Sequence, residues 1–272
     1  MIDMQEYFMH KDYSHIVEKF EKSFDTSKLN CDDYWFHFTK LQKSISNNKC
    51  PICEVELTEL PNRTNTATLD HFRPKADDMY PLLKCEPENY ILMCSLCNST
   101  YKQDDFPLLD ESKRIKNAKV ISETEEEKPL LFNPTEQNPL DFFELAFRQT
   151  ELGGILELKR KANISKHSYE YKICESMINM FNLGYCHNDN RSLERKERDL
   201  ETDRIKTVNV KECRIGILTK HYTTFIELAN ARNDKEKLAI FFKDKTRVAE
   251  LKQYGFFQFI MKQNPQFSIE IF

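Results

Sequence analysis

Cys50-Pro-Ile-Cys53 and Cys94-Ser-Leu-Cys97 are two pairs of thiols, each pair separated by two residues. That spacing turns both sulfurs of one knuckle toward a single cation, and two knuckles complete a tetrahedral four-thiolate zinc site. Such a site is closed and has no open position for a substrate, so its expected role is to staple the fold. The 40 residues between Cys53 and Cys94 exceed the roughly 15–20 of a simple zinc ribbon, so a further unit must be inserted there. That insert carries Asp70-His71 and Asn89, and the second cysteine pair is followed at once by Asn98 and then Lys102.

These residue types suit phosphodiester hydrolysis. A hard divalent cation, Mg²⁺ or Mn²⁺, polarises the phosphate and takes oxygen ligands, which the Asp70 carboxylate and the Asn98 amide oxygen supply. A base must take the proton of the attacking water, and the His71 imidazole does so near neutral pH. Arg73, Lys75 and Lys102 are cations placed beside this group as nucleic-acid contacts. Lys102, four residues after Asn98, is expected on the same helical face. Adjacent residues on an ideal strand point to opposite faces, so a site shared by Asp70 and His71 requires a bend, for which Pro74 is a signal.

The order Cys-x-x-Cys, Asp-His, Asn, Cys-x-x-Cys-Asn within about 50 residues resembles the HNH, or ββα-metal, nucleases. The resemblance implies His71 as general base, Asp70 and Asn98 on the catalytic metal, and Asn89 as the residue that orients the histidine loop. Many members carry histidine where this chain has Asn98, and the lysine comes one position later than in many of them. Further segments extend the likeness: Asp70-His71-Phe72-Arg73-Pro74-Lys75, Cys97-Asn98-Ser99-Thr100, Asp105-Phe106-Pro107-Leu108, and Pro129-Leu130-Leu131-Phe132-Asn133-Pro134 with Asn138-Pro139. Together they resemble the PtuB-type nucleases of Septu and retron-linked anti-phage systems. This implies a bacterial, cytoplasmic effector held in check by a PtuA-type ABC/SMC-like ATPase, with a retron reverse transcriptase and its msDNA as a further partner.

The expected fold is mainly α with a small zinc-stapled ββα-metal module, α+β overall. Residues 1–46 read as a helical cover of two helices between Tyr7 and Ser44, with Phe8, Ile16, Phe20, Phe24, Trp35, Phe36, Phe38 and Leu41 at helical spacings. Residues 47–110 form the nuclease module, with strand-like runs at Ala67–Asp70 and Tyr90–Met93 and a helix from about Ser95. Residues 111–130, with Glu123-Thr-Glu-Glu-Glu127, read as a solvated, charged linker. Residues 131–272 read as a mainly helical docking region. It opens with a hairpin at Gly153-Gly154 and continues as helices near 164–183, 190–231, 233–243 and 246–263, the long one capped by Asp189 or Asn190. The basic stretches 113–116 and 191–198 are candidate nucleic-acid contacts, the second reading better as a solvated helix face because glutamates interrupt it. Phe256, Phe257, Phe259 and the segment Phe267–Phe272 are core or interface.

Only 5 glycines argue against a hairpin-rich protein, and a formal net charge of −4 excludes a broad basic surface, so affinity for nucleic acid must be local or borrowed from a partner. With neither a long apolar run nor a leader-like N-terminus, the expectation is a cytoplasmic protein with no membrane role. Cys31, Cys85, Cys174, Cys186 and Cys213 are then expected as unpaired thiols. Double-stranded DNA is the first substrate and RNA the alternative within the same chemistry. From other classes, an inactive zinc-ribbon interaction module and a redox protein both leave Asp70, His71, Asn89 and Asn98 without a purpose.

Overall fold

The computed structural model describes residues 1–23, 31–150, 153–181 and 183, the backbone of two short strands at 194–198 and 205–209, and isolated positions between 236 and 249. Within these residues the protein is α+β: short helices around three two-stranded antiparallel sheets. No helix among the described residues is long and apolar enough to cross a membrane.

The N-terminal cover is a helix pair, α1 (Lys11–Ser23) and α2 (Trp35–Ile45). Tyr13, Ile16, Val17 and Phe20 recur at the three- and four-residue steps that make one apolar stripe on α1, and this stripe packs with Tyr34 and Phe38. The rings meet edge to face, Phe20 on Tyr34 at 5.3 Å and on Phe38 at 6.2 Å. On α2, Phe38, Leu41 and Gln42 turn inward.

Strand β1 (Ala67–His71) pairs antiparallel with β2 (Tyr90–Cys94), in a register that sets His71 opposite Tyr90 and Asp70 opposite Ile91. All five residues of β2 are buried, because the strand stands between two cores. Tyr90 belongs to the aromatic cluster under α1 and α2, whereas Ile91, Leu92 and Met93 join the larger core built on the cysteine module and the segments after it. Among the described residues, the outer edge of β2 meets no third strand. Instead the wholly buried Gln42 replaces one: its amide donates to the Tyr90 carbonyl at 2.9 Å, and its oxygen accepts from Leu92 N at 2.7 Å. One glutamine thus satisfies an edge that would otherwise be left with buried, unpaired groups.

After β2 the chain winds as a π-helix, Leu96–Lys102, closed by Gln103 N donating to the Asn98 carbonyl at 2.7 Å. Segment 111–130 is not a free linker. Glu123, Glu125 and Glu126 are solvated, but Glu127 is buried and accepts from Arg73 Nε at 3.1 Å, Tyr80 Oη at 3.0 Å and Ile115 N at 2.7 Å. Arg114 likewise turns inward, donating to Tyr80 Oη and to the Phe106 carbonyl. A charge run is solvated only where no buried cation claims one of its members, and Arg73 claims Glu127.

Beyond it, α3 (Pro139–Phe142) leads into a hairpin, β3 (Phe143–Thr150) with β4 (Gly153–Arg160), in which Thr150 pairs with Gly153. Helix α4 (Tyr169–Met180) starts where Ser168 accepts from Tyr171 N, and it buries Ile173, Cys174 and Met177 in the larger core. The span expected as one helix over 190–231 instead contains a pair of strands, β5 (Glu194–Arg198) and β6 (Ile205–Asn209). The expected caps Asp189 and Asn190, Cys186, Cys213 and the C-terminal aromatic segment lie outside the described residues. Cys31 and Cys85, expected as separate thiols, are joined as a disulfide with Cα atoms 5.5 Å apart. They are 54 residues apart in sequence, and only the docking of the cover on the cysteine-stapled module makes them neighbours.

Candidate metal centre and catalytic cluster

The four cysteines converge. Cys50, Cys53, Cys94 and Cys97 are all buried, and their sulfurs all lie within 4.8 Å of one another. Cys50 Sγ is 3.8 Å from Cys97 Sγ, and Cys53 Sγ is 3.7 Å from Cys94 Sγ. A tetrahedral ion with bonds of about 2.3 Å to sulfur sets its ligands about 3.8 Å apart, so the residues fit a zinc ion. The first knuckle is closed by Glu54, which takes the left-handed conformation at φ 61° and donates from its amide to the Cys50 carbonyl at 2.8 Å. Main-chain amides also point at sulfur: Cys94 N at Cys50 Sγ, 3.3 Å, and Cys97 N at Cys94 Sγ, 3.4 Å. Burial, with the neighbouring sulfurs, pushes the Cys50 thiol well above its ordinary range, so this cluster needs a dication to become thiolate.

The staple fixes the start of the π-helix against β1. Strand alternation then decides what each face holds. Thr68 and Asp70 face the π-helix: Asn98 Nδ2 donates to Thr68 Oγ1 at 3.1 Å, and Lys102 Nζ stands 3.0 Å from Asp70 Oδ2. Leu69 and His71 face the cover: Leu69 packs into the aromatic cluster, and the His71 ring meets Trp35 at 5.5 Å and Tyr90 at 5.4 Å, both edge to face. The bend expected between Asp70 and His71 is therefore not made, and the two side chains contact different groups. Pro74 acts later, where Tyr80 N donates to its carbonyl.

His71 Nε2 lies 2.8 Å from the Lys84 carbonyl, which also accepts from Tyr90 Oη at 3.0 Å. A carbonyl only accepts, so the proton of the neutral ring sits on Nε2 and Nδ1 keeps the free lone pair. Burial pushes the imidazole down to about 4; the Lys84 carbonyl works against this shift, and the Lys75 and Lys102 ammonium groups add to it. Asn89 clamps the turn after the histidine: its Oδ1 accepts from Arg73 N at 2.8 Å, and its Nδ2 donates to the Arg73 carbonyl at 2.9 Å.

The three cations expected to meet nucleic acid are placed differently. Lys75 is exposed, its ammonium 4.5 Å from the centre of the Trp35 ring. Arg73 is buried against Glu127, and its guanidinium packs over Phe106. Lys102 is wholly buried, with its ammonium on Asp70 and on the His71 carbonyl at 2.9 Å. Neither Arg73 nor Lys102 therefore presents a charge to solvent: each serves a buried carboxylate.

Asp70 and Asn98 do not fit a Mg²⁺ or Mn²⁺ ion in this arrangement. Asp70 Oδ2 is buried and meets the Lys102 ammonium at 3.0 Å, and a metal bond of about 2.1 Å would need that same side of the carboxylate. Asn98 gives its amide nitrogen to Thr68 and keeps its amide oxygen available, so the misfit lies at Asp70. Sequence reasoning passed over Trp35, Gln42, Lys84 and Glu127. The first was visible as the single tryptophan. The others act through a main-chain carbonyl or a long-range pairing that leaves no local pattern.

No protein-family profile and no solved structure matches the chain. A curated protein does: the Septu protein PtuB of Bacillus mycoides (strain KBAB4) is 33% identical over 130 residues. The match covers 44% of this chain and 40% of that relative, so less than half of either is compared. Through this shared part, the chain is a relative of the Septu protein PtuB.

Proposed function

We propose that this chain is the nuclease effector of a Septu-type anti-phage system, an HNH-like endonuclease that hydrolyses phosphodiester bonds of nucleic acid, DNA first. One observation carries the reading. A neutral histidine sits at the end of a short ribbon framed by a four-cysteine staple, next to a buried carboxylate and a turn clamped by Asn89. The likeness to PtuB supports the same reading and suggests a PtuA-type ATPase as the partner that controls it.

In this reading His71 Nδ1 receives the proton of the attacking water, while the Lys84 carbonyl holds Nε2–H and so fixes both tautomer and ring orientation. A base held as low as about 4 is weak, but an anionic phosphodiester brought beside the imidazole raises its affinity for a proton. Lys75, exposed beside Trp35, is the cation placed to receive that phosphate. Trp35 covers the imidazole, so the arrangement is that of a resting enzyme which must open before it cuts.

The test is cleavage of supercoiled plasmid and of total RNA by the purified chain, with and without its ATPase partner, in Mg²⁺ or Mn²⁺. His71→Ala is expected to remove cutting while keeping zinc content and folding. Cutting that survives in the variant overturns the assignment, and cutting confined to RNA moves the substrate from DNA to RNA.

A further inference from the structure

Helices α1 and α2 face each other across a groove of about 430 Å³. His15, Ile16 and Lys19 line it from α1, and His37, Lys40, Leu41 and Ser44 from α2, so steps of three and four residues turn one face of each helix into a wall. Ile16 and Leu41 belong to the aromatic cluster beneath and form the floor. The rim is made of cations and donors. Lys19 and Lys40 are exposed, and neither has an ion pair among the described residues. His15 and His37 are exposed beside them, and each ring offers an N–H. Among the described residues the lining holds one carboxylate, Asp12, which lies 3.8 Å from the ring of His10.

Two cationic walls without counter-charges, in a chain of net charge −4, are the kind of local basic surface to which affinity for nucleic acid must be confined. The position of the groove joins it to His71. The two helices run in opposite directions, with Phe20 against Tyr34 and Tyr13 beside Phe38, so Lys19 stands at the Tyr34 end and Asp12 at the other. Tyr34 ends the groove, and the next residue, Trp35, covers His71 at 5.5 Å and carries the Lys75 ammonium 4.5 Å from its ring centre. A helical rise of about 1.5 Å per residue sets Lys40 about 8 Å along α2 from Trp35. One strand of a duplex, with a phosphate about every 3.4 Å of axis, places about two phosphates in that interval. We propose that this groove holds the phosphodiester backbone of DNA leading to His71, with Lys19 and Lys40 as phosphate contacts. The inference rests on the nuclease reading and adds where its substrate lies.

The test is binding of a short fluorescein-labelled DNA duplex to the full chain, followed by anisotropy over a range of salt concentrations. The cysteine site is loaded with zinc, and no Mg²⁺ or Mn²⁺ is present, so nothing is cut. Each phosphate contact contributes about 0.9 to the slope of log affinity against log salt. Lys19→Gln and Lys40→Gln are therefore each expected to flatten the slope by about 0.9 and to weaken binding about five- to tenfold at about 0.1 M salt, and the double variant to flatten it about twice as much. Lys116→Gln with Lys119→Gln removes the same charge as the double variant from exposed positions elsewhere and is expected to stay within about twofold of wild type. All four lysines are exposed, so these variants keep the fold.

No measurable binding by wild type, an unchanged slope in the double variant, or an equal loss in the paired control overturns the proposal. An RNA duplex of the same sequence held about tenfold more tightly than the DNA overturns it too, in favour of RNA. A chain that holds DNA through the groove but cuts no nucleic acid refutes the nuclease reading alone. Cutting that depends on His71, in a chain whose groove variants bind as wild type does, refutes the groove alone.

Discussion

Glu127→Ala tests whether the segment after the zinc-stapled module is part of its core. The substitution removes the acceptor of Arg73 Nε, Tyr80 Oη and the Ile115 amide at once. Arg73 is only 5% exposed, so its guanidinium is left buried without its carboxylate. Tyr80 keeps one partner, Arg114, whereas Ile115 N keeps none from this group. Breaking a buried ion pair from one side costs about 3–5 kcal/mol, a large share of the roughly 5–15 kcal/mol that holds a domain folded. Equilibrium unfolding in urea, followed by circular dichroism and tryptophan fluorescence together, gives the number where the two probes coincide. Trp35 is the one tryptophan and touches His71, so its fluorescence reports the site directly. Replacing both partners, as in Arg73→Met with Glu127→Leu, is expected to recover about 2 kcal/mol of the loss, because no charge is then stranded. Glu125→Ala, at an exposed neighbour, is the control and is expected within about 0.5 kcal/mol of wild type. A Glu127→Ala chain as stable as the Glu125→Ala chain would refute the reasoning and return the segment to a solvated linker.

Three other outcomes follow from the same structure. Cys31→Ser with Cys85→Ser opens a link between residues 54 apart, and loop-closure entropy sets the loss at up to about 4 kcal/mol; unfolding with and without reductant measures it, and identical curves would refute the link. Glu86 is pushed up to about 7 by burial and by the charges of Glu88 and Glu21, so the folded state holds its proton more tightly than the unfolded state. Its favourable contribution is present below about pH 4.5 and lost as pH rises through 7, so Glu86→Gln is expected to stabilise the chain at pH 8 by about 1 kcal/mol, the figure being discounted for partial exposure, and by little at pH 4.5. Removing zinc with a strong chelator, or replacing Cys50 by Ser, is expected to abolish hydrogen-exchange protection of β1, β2 and the π-helix, since the four sulfurs are what ties 50–53 to 94–97; unchanged protection would show that the cluster holds no structural ion.

What the sequence determined by itself was local or periodic. Two Cys-x-x-Cys pairs specify a four-sulfur cluster because each knuckle is a short-range geometry, and the structure brings all four sulfurs together. The helical stripes of α1 and α2 and the strand runs inside the insert were legible for the same reason, since propensity and period act over a few residues; a hairpin was expected near Gly153-Gly154 too, but both glycines lie within β4, opposite Thr150 and Gln149. Tertiary structure decided the rest. Whether a charged side chain faces water or serves a buried partner depends on a residue far away in sequence. Arg73 is committed to Glu127, Lys102 to Asp70, and Cys31 to Cys85, none of which has a local signature. The chemistry of His71 was likewise set from a distance: its tautomer by the Lys84 carbonyl, its low proton affinity by burial. The alternation of β1 placed Asp70 and His71 among different neighbours, one under the π-helix and the other under the cover, because a strand that stays straight keeps successive side chains on opposite faces.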